Sequence, residues 1–424
     1  MQIGFVGMSH LGLNSSVAAA HRGALVICYD QSEQRINDLI QGNTGIKEPG
    51  LDDLLKAHQN SLTFTPDMYD LSTCSVVYIA LDVETDDAGN SNLAPLNKLI
   101  KLADEALPES VILVVLSQIP PGFSRGLKLR DQRQYYYQVE TLVFGDAIKR
   151  AINPERIIIG TEIPTEALAQ SYADFLLLFN CPLLPMRYES AELCKISINC
   201  CLVASVTIAN TLAELCENIG ADWSEIVPAL KSDRRIGQYS YLAPGLGIAG
   251  GNLERDLNTI QKFSNTHQTD ASVIEAYLHN STYRKDWPYR TIKRLFEDKP
   301  APKIAIWGLT YKVDTHSLKN SPSMHFIEKI KKDASQQVSL SCYDPMIAKT
   351  SIAGLAGEMA ESALQACEQA DALIVMTPWT EFGEIAPNLI AEILNGKIVL
   401  DPYAALDQLA CEAAGLTYLT LGKS

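Results

Sequence analysis

Lys195 and Asn199 stand four residues apart in the run AELCKISINC, so on a helix both side chains project from one face. Further along, the chain reads PGLGIAGGNLERD from Pro244 to Asp256. Gly245, Gly247, Ala249, Gly250 and Gly251 let that stretch approach a ligand or its own backbone closely, and Asp256 follows at the expected mouth of a helix. A cation, an amide and a carboxylate converging on such a loop supply what alcohol oxidation needs. One group holds the developing alkoxide, one orients it, and one takes or relays the proton. Taken singly, Lys195 is equally a snorkelling lysine, Asp256 an acid favoured by a helix start, and the loop a tight connection. The combination is what points to chemistry.

A second constellation opens the chain. Gly7-Met8-Ser9-His10-Leu11-Gly12 follows a strand-like run and leads into a helix, and Asp30 ends the next strand, eighteen residues beyond Gly12. This is the context of a dinucleotide fold: a tight turn, a pyrophosphate on the helix N-terminus and an acid on the adenosine ribose. Ser9 replaces the middle glycine and puts a Cβ where backbone should approach phosphate. Asp30 favours NAD over NADP, because a carboxylate there repels a 2′-phosphate. The competing reading is a Rossmann-like domain that has lost its cofactor.

The elements that must position these residues alternate strand and helix, which argues for an α/β protein with parallel sheets. Gln2–Val6 and Ala24–Tyr29 read as strands around a helix at Leu13–His21, and Val76–Leu81, Val111–Leu116 and Arg156–Gly160 extend the sheet. A long helical pattern without Gly or Pro runs from Glu189 to about Glu217, apolar on more than one face. Asp222–Lys231 and Asp270–Phe296 continue a helical middle, and the proline-bearing stretch 297–302 is a linker. A second α/β unit follows, with strands at Lys303–Leu309, Val338–Tyr343, Ala372–Met376 and Lys397–Leu400 and a helix start at Ser321-Pro322. Cys28-Tyr29-Asp30 recurs as Cys342-Tyr343-Asp344 at a matching strand end. The expected fold is two doubly wound Rossmann-like domains joined by a long central helix and a helical middle region, divided as 1–188, 189–296 and 303–424.

The 424 residues carry a net charge of −15, which disfavours nucleic acid or an anionic membrane surface as partner but leaves nucleotides open. Ten cysteines are scattered with no CxxC pair, so neither zinc nor a disulfide framework is expected, and no metal site is. No apolar run reaches the length of a membrane span, and MQIGFVGM does not read as a signal peptide. A cytoplasmic protein is the expectation.

With these residues in view, the chain resembles the UDP-glucose/GDP-mannose dehydrogenase family. The resemblance is carried by Glu48-Pro49-Gly50-Leu51, Pro120-Pro121-Gly122, Asn153–Gly160, Ser190-Ala191-Glu192 with Lys195 and Asn199, Arg235-Ile236-Gly237, Tyr311-Lys312, Ser321-Pro322, Tyr343-Asp344-Pro345 and Ala370–Trp379. It implies an N-terminal NAD domain, a central helical region that dimerises and a C-terminal domain that holds a nucleotide diphosphate, with a UDP-sugar as substrate, oxidised at C6. It further implies cofactor contacts at Gly7, Ser9, Leu11, Gly12, Asp30, Arg35, Thr85 and Ser117. Substrate contacts are implied at Leu142, Lys195, Asn199, Arg235 (reaching across a homodimer), Tyr241, Gly245, Gly250 and Lys312, and Glu140 joins the catalytic set.

Family members remove two hydrides, using a cysteine to capture the aldehyde before the second, since a bare aldehyde has no easy hydride to lose. In that register Asn252 occupies the cysteine's place, while Arg255-Asp256 keeps the downstream spacing. Phe144 replaces a second glutamate, Gln118 a threonine, Asp82–Thr85 a Gly-Thr-Pro-Thr run, and Pro402-Tyr403 a glycine-arginine. Two classes of function follow: an NAD-dependent oxidoreductase that moves a single hydride, giving an aldehyde, a ketone or an epimer, and a catalytically silent homologue that binds nucleotide sugar. Four-electron oxidation by a non-thioester route is a weaker alternative. A β-hydroxyacid dehydrogenase would share the Rossmann domain and the Lys/Asn helix, but the second α/β unit argues against it.

Overall fold

Short apolar runs buried along their length set the architecture. In the computed structural model, which describes residues 1–424 other than 85, 87–89, 334, 336, 348–356 and 424, the chain divides into two compact units, Met1–Ile198 and Asn199–Ser424.

The first unit is built on eight strands: β1 (Gln2–Val6), β2 (Leu25–Tyr29), β3 (Leu62–Thr65), β4 (Val76–Ile79), β5 (Ile112–Val115), β6 (Tyr135–Gln138), β7 (Ile157–Thr161) and β8 (Leu183–Arg187). They lie in the order β3-β2-β1-β4-β5-β6-β7-β8. All pairs are parallel except β6 with β7, which runs antiparallel. The strands β4, β5 and β7 are buried throughout, as continuous Val/Ile-rich runs are when helices cover both faces of a parallel sheet. Phe5, Tyr78, Ile159 and Phe175 pack on one face, and Val6, Ile79, Leu99 and Tyr137 on the other.

The second unit contains a smaller sheet of β9 (Lys303–Trp307), β10 (Ser339–Tyr343), β11 (Glu358–Met359), β12 (Ala372–Val375), β13 (Ile398–Leu400) and β14 (Thr417–Leu419). Its order is β11-β10-β9-β12-β13-β14 and its pairs are parallel. The tripeptide echo is structural. Cys28 and Tyr29 pair with Phe5 and Val6, as Cys342 and Tyr343 pair with Ile306 and Trp307. Gly7 N donates to Tyr29 O at 2.9 Å, and Gly308 N donates to Tyr343 O at 2.8 Å. Asp30 takes Met8 N at 2.8 Å, and Asp344 takes Leu309 N at 2.7 Å. The copies then diverge. Asp344 is buried and also accepts from Thr310 and Met346, so its carboxylate is consumed within the fold.

The long helix spans Tyr188–Ile219, two residues beyond the expected Glu217. Its Ala209, Ala213 and Cys216 pack with Trp223 and Leu242. Among the described residues this helix is long and apolar enough to cross a membrane by length and composition. That differs from the expectation above: Ser, Asn and Thr interrupt the apolar run, yet Ile196–Ala213 contains no charged residue. Helices Trp223–Ser232, Asn252–His267, Ser272–Lys285 and Trp287–Leu295 complete the middle region.

Candidate active site

The helix His10–His21 starts at the end of β1, and its closeness to the strand explains Gly12: a Cβ there would lie 1.8 Å from Gly7 O. Gly7 itself has φ of +95°. Asp30 is held by Met8 N on one oxygen and Ser32 N, at 3.0 Å, on the other. A cavity of about 480 Å³ opens here, lined by Gly7, Asp30, Asn92, Pro95 and Lys98 among others. Its position, with a carboxylate at the end of the second strand, fits the adenosine half of a dinucleotide.

The start of the helix, where a pyrophosphate is expected, is arranged differently. Ser9 Oγ accepts from Asp82 N at 3.0 Å and donates to Ala80 O at 3.3 Å, and Asp82 Oδ2 accepts from Leu11 N at 3.3 Å. Nothing in the sequence reading singled out Asp82 as a neighbour of Leu11; only its departure from a glycine marked it. Ser117 Oγ donates to Leu81 O at 2.6 Å and accepts from Leu81 N at 3.0 Å, so its hydroxyl knits β5 to the segment after β4. Arg35 donates to Met8 O at 3.0 Å and Thr44 O at 2.6 Å, bracing the glycine turn through backbone carbonyls. Thr85 lies outside the described residues. His10, the first helical residue, pairs with Glu48 at 3.1 Å and packs against Phe144 with the rings tilted by 33° and their centroids 4.2 Å apart.

The candidate catalytic side chains form two pairs. In the first unit Lys195 Nζ lies 2.7 Å from Glu140 Oε1 and donates to Glu140 O at 3.1 Å, while Glu140 Oε2 accepts from Leu142 N at 2.8 Å. Lys195 and Glu140 are only 11% and 17% exposed, so their attraction is weakly screened. In the second unit Asn199 Nδ2 donates to Asp256 Oδ2 at 2.6 Å, and Arg255 Nε donates to Asp256 Oδ1 at 3.1 Å. Asp256 is therefore not at the mouth of its helix. The helix starts at Asn252, and Asp256 sits a turn inside, 1% exposed. Burial with two donors keeps such a carboxylate oriented, and Arg255 offsets its charge.

Asn252 is the first residue of that helix, directly after Gly250-Gly251. Cys200, the residue after Asn199, is no substitute nucleophile: burial, with Asp256 nearby, pushes its thiol up to about 11, away from the thiolate. Gly247 and Gly250 are required by the unit's own packing. Gly250 has φ of +74° and a Cβ there would meet the Tyr311 ring at 2.8 Å. Gly245 N donates to Asn210 Oδ1 at 2.8 Å and lies against Tyr403. Sequence reasoning missed the group that fixes this loop. Asn320 Nδ2 donates to Gly250 O at 3.1 Å and Glu254 Oε2 at 2.6 Å, and its own Oδ1 takes Lys285 Nζ. The position of Asn320 directly before Ser321-Pro322 was the only signal for it.

The remaining expected substrate residues are exposed or half-buried in the second unit. Arg235 follows the helix Trp223–Ser232, 89% exposed, and pairs with Asp233 at 2.6 Å. Tyr241 is also exposed. Lys312 is half-buried, with Nζ 5.9 Å from the Tyr311 ring centroid. Among the described residues no His/Cys/Asp/Glu group could hold a metal ion.

Three profiles of the UDP-glucose/GDP-mannose dehydrogenase family match the chain: the NAD binding domain over residues 1–175, the central domain over 189–281 and the UDP binding domain over 305–408. The putative UDP-glucose 6-dehydrogenase YtcA of Bacillus subtilis is 26% identical over 432 residues, covering 100% of both chains. Among solved structures, a UDP-glucose dehydrogenase from Pyrobaculum islandicum superposes with a TM-score of 0.83 at 22% identity, over 100% of this chain and 98% of its own. A UDP-D-ManNAc dehydrogenase from Pyrococcus horikoshii gives 0.82 at 22%, over 100% and 99%. At that identity the structures establish the shared fold.

Proposed function

The chain belongs to the UDP-glucose/GDP-mannose dehydrogenase family of NAD-dependent oxidoreductases, and on that premise we propose that it oxidises a UDP-sugar by one hydride and stops. The observation that carries this reading is Asn252, an amide opening the helix after Gly250-Gly251 where the family motif has its thiol. An amide adds to an aldehyde neither as fast nor as reversibly as a thiolate, so the second hydride has no precursor. Phe144, in place of a glutamate, removes a candidate helper for hydrolysis.

NAD, when bound, supplies the hydride acceptor. The chain's residues do the rest. Lys195 holds the negative charge that grows on the alcohol oxygen as its proton departs, sharing its own charge with Glu140. Asn199 positions the reacting alcohol, and Asp256 relays the proton. Arg255 and Asn199 hold the Asp256 carboxylate oriented for that relay. Asp30 takes the adenosine ribose, and Lys312 with the 244–251 loop serves the sugar nucleotide.

The same reading divides the chain at 1–188, 189–296 and 303–424 and makes it a cytoplasmic homodimer. Ile208, Leu212, Leu215 and Ile219 on the long helix are exposed, between 39% and 63%, and a second copy is the occupant that such a face in the central domain implies. Arg235, exposed beyond it, would then reach the partner's substrate. Absorbance of NADH with a panel of UDP- and GDP-sugars tests the activity. Nucleotide binding with no NADH from any sugar would favour the silent homologue instead.

A further inference from the structure

Two departures from the dinucleotide pattern, Ser9 and Asp82, lie 73 residues apart in sequence and bond to each other: Asp82 N donates to Ser9 Oγ at 3.0 Å. That contact fixes the segment after β4 against the turn after β1, and it delivers the Asp82 carboxylate to Leu11 N at 3.3 Å. Leu11 is the second residue of the helix His10–His21, so its amide is one of the donors left without an intrahelical acceptor. Those amides, with the positive end of the helix dipole, are what a bound pyrophosphate uses. A carboxylate is the same kind of ligand, supplied here by the chain itself. The helix bears no acid in its first turn, so Asp82 gives it an anion from outside.

We propose that Asp82 sets the dinucleotide affinity of this site by holding the Leu11 amide that a pyrophosphate would take, with Ser9 keeping it there. The inference rests on the NAD reading of the first unit. A dinucleotide must displace the carboxylate and then sit beside it, two like charges a few ångströms apart in a partly solvated mouth, where mutual repulsion remains appreciable. Ser9, Leu11 and Asp82 do not line the cavity around Asp30, so the charge penalty falls on the phosphates and not on the adenosine.

The test compares the full-length protein with Asp82→Asn, which removes the charge, and Asp82→Ser, which also shortens the side chain. NADH is titrated by calorimetry up to millimolar ligand, and adenosine by ligand-observed NMR. Both variants are expected to bind NADH about tenfold or more tightly than the parent, the size of a like-charge contact in a high-dielectric mouth, with adenosine unchanged within twofold. The same result with no detectable NADH binding by the parent supports the proposal equally. Unchanged NADH affinity in variants and parent overturns the role of Asp82 and leaves the NAD reading intact. Equal tightening of NADH and adenosine also overturns it, because the effect would not belong to the phosphates. Absence of NADH binding in all three proteins overturns both readings.

Discussion

Replacing Asp256 separates its place in the fold from its place in the chemistry. The carboxylate is 1% exposed and accepts from Asn199 at 2.6 Å and Arg255 at 3.1 Å. A hydrogen bond to a charged group contributes about 1.5–3 kcal/mol. Asp256→Asn keeps the shape and one acceptor but loses the charge that strengthens both contacts, a cost of about 2 kcal/mol on that scale. Asp256→Ala loses both contacts and opens a void, about 3–5 kcal/mol by the measure of a broken buried pair. For a unit the size of Asn199–Ser424 each kilocalorie lowers the melting temperature by roughly 2–4 °C. Asp256→Asn should therefore melt about 4–8 °C below the parent, read by calorimetry in the transition of the second unit. The Asn variant should remain folded at 25 °C and have lost its turnover, because an amide relays no proton in place of a carboxylate. A variant that melts within a degree of the parent would refute the idea that this carboxylate holds Asn199 and Arg255. A folded variant with full activity would remove Asp256 from the reaction.

Lys195→Ala should lower turnover by about a hundredfold, the scale of losing one donor to a developing oxyanion, with kcat falling more than KM rises in steady-state kinetics. Asn252→Cys should raise the NADH yield above one per sugar but below two, since Phe144 and Gln118 remain; product mass distinguishes aldehyde from acid. Glu192 is buried, accepts from Gly122 N at 2.6 Å and Ser124 N at 2.7 Å, and burial pushes its pKa above the usual carboxylate value. A raised folded value means the folded state binds the proton more tightly. Its contribution to stability is therefore greatest at low pH and is lost as pH rises through that value. Glu192→Gln should flatten this part of the pH profile, measured as urea midpoints from pH 4 to 7.

Much of this molecule was legible because its determinants are local. The Val/Ile runs of β4 and β5, Gly7 and Gly12 around a strand–helix turn, and Asp30 and Asp344 at matching strand ends each announce themselves within a few residues. Helix patterning likewise placed Tyr188–Ile219 to within two residues at its far end. What escaped depends on partners far along the chain. The reversal falls at β7, which pairs antiparallel with β6 while β6 runs parallel to β5, and neither strand's own run of residues encodes it. Asp82 finds Leu11 across 71 residues, and Asn320 reaches Gly250 across 70. The depth of Asp256 was misjudged for a different reason. The glycines end at Gly251, so the helix begins at Asn252 and carries Asp256 inward.

The central claim is that the amide at position 252 limits the reaction to one hydride. It is tested most directly by the ratio of NADH formed to sugar nucleotide consumed, with the product identified by mass. The account predicts one NADH per sugar at completion for net oxidation and an aldehyde or ketone two hydrogens lighter than the substrate. Two NADH per sugar with a uronic acid product would contradict it, and would show that this site completes the oxidation without a thiol at residue 252.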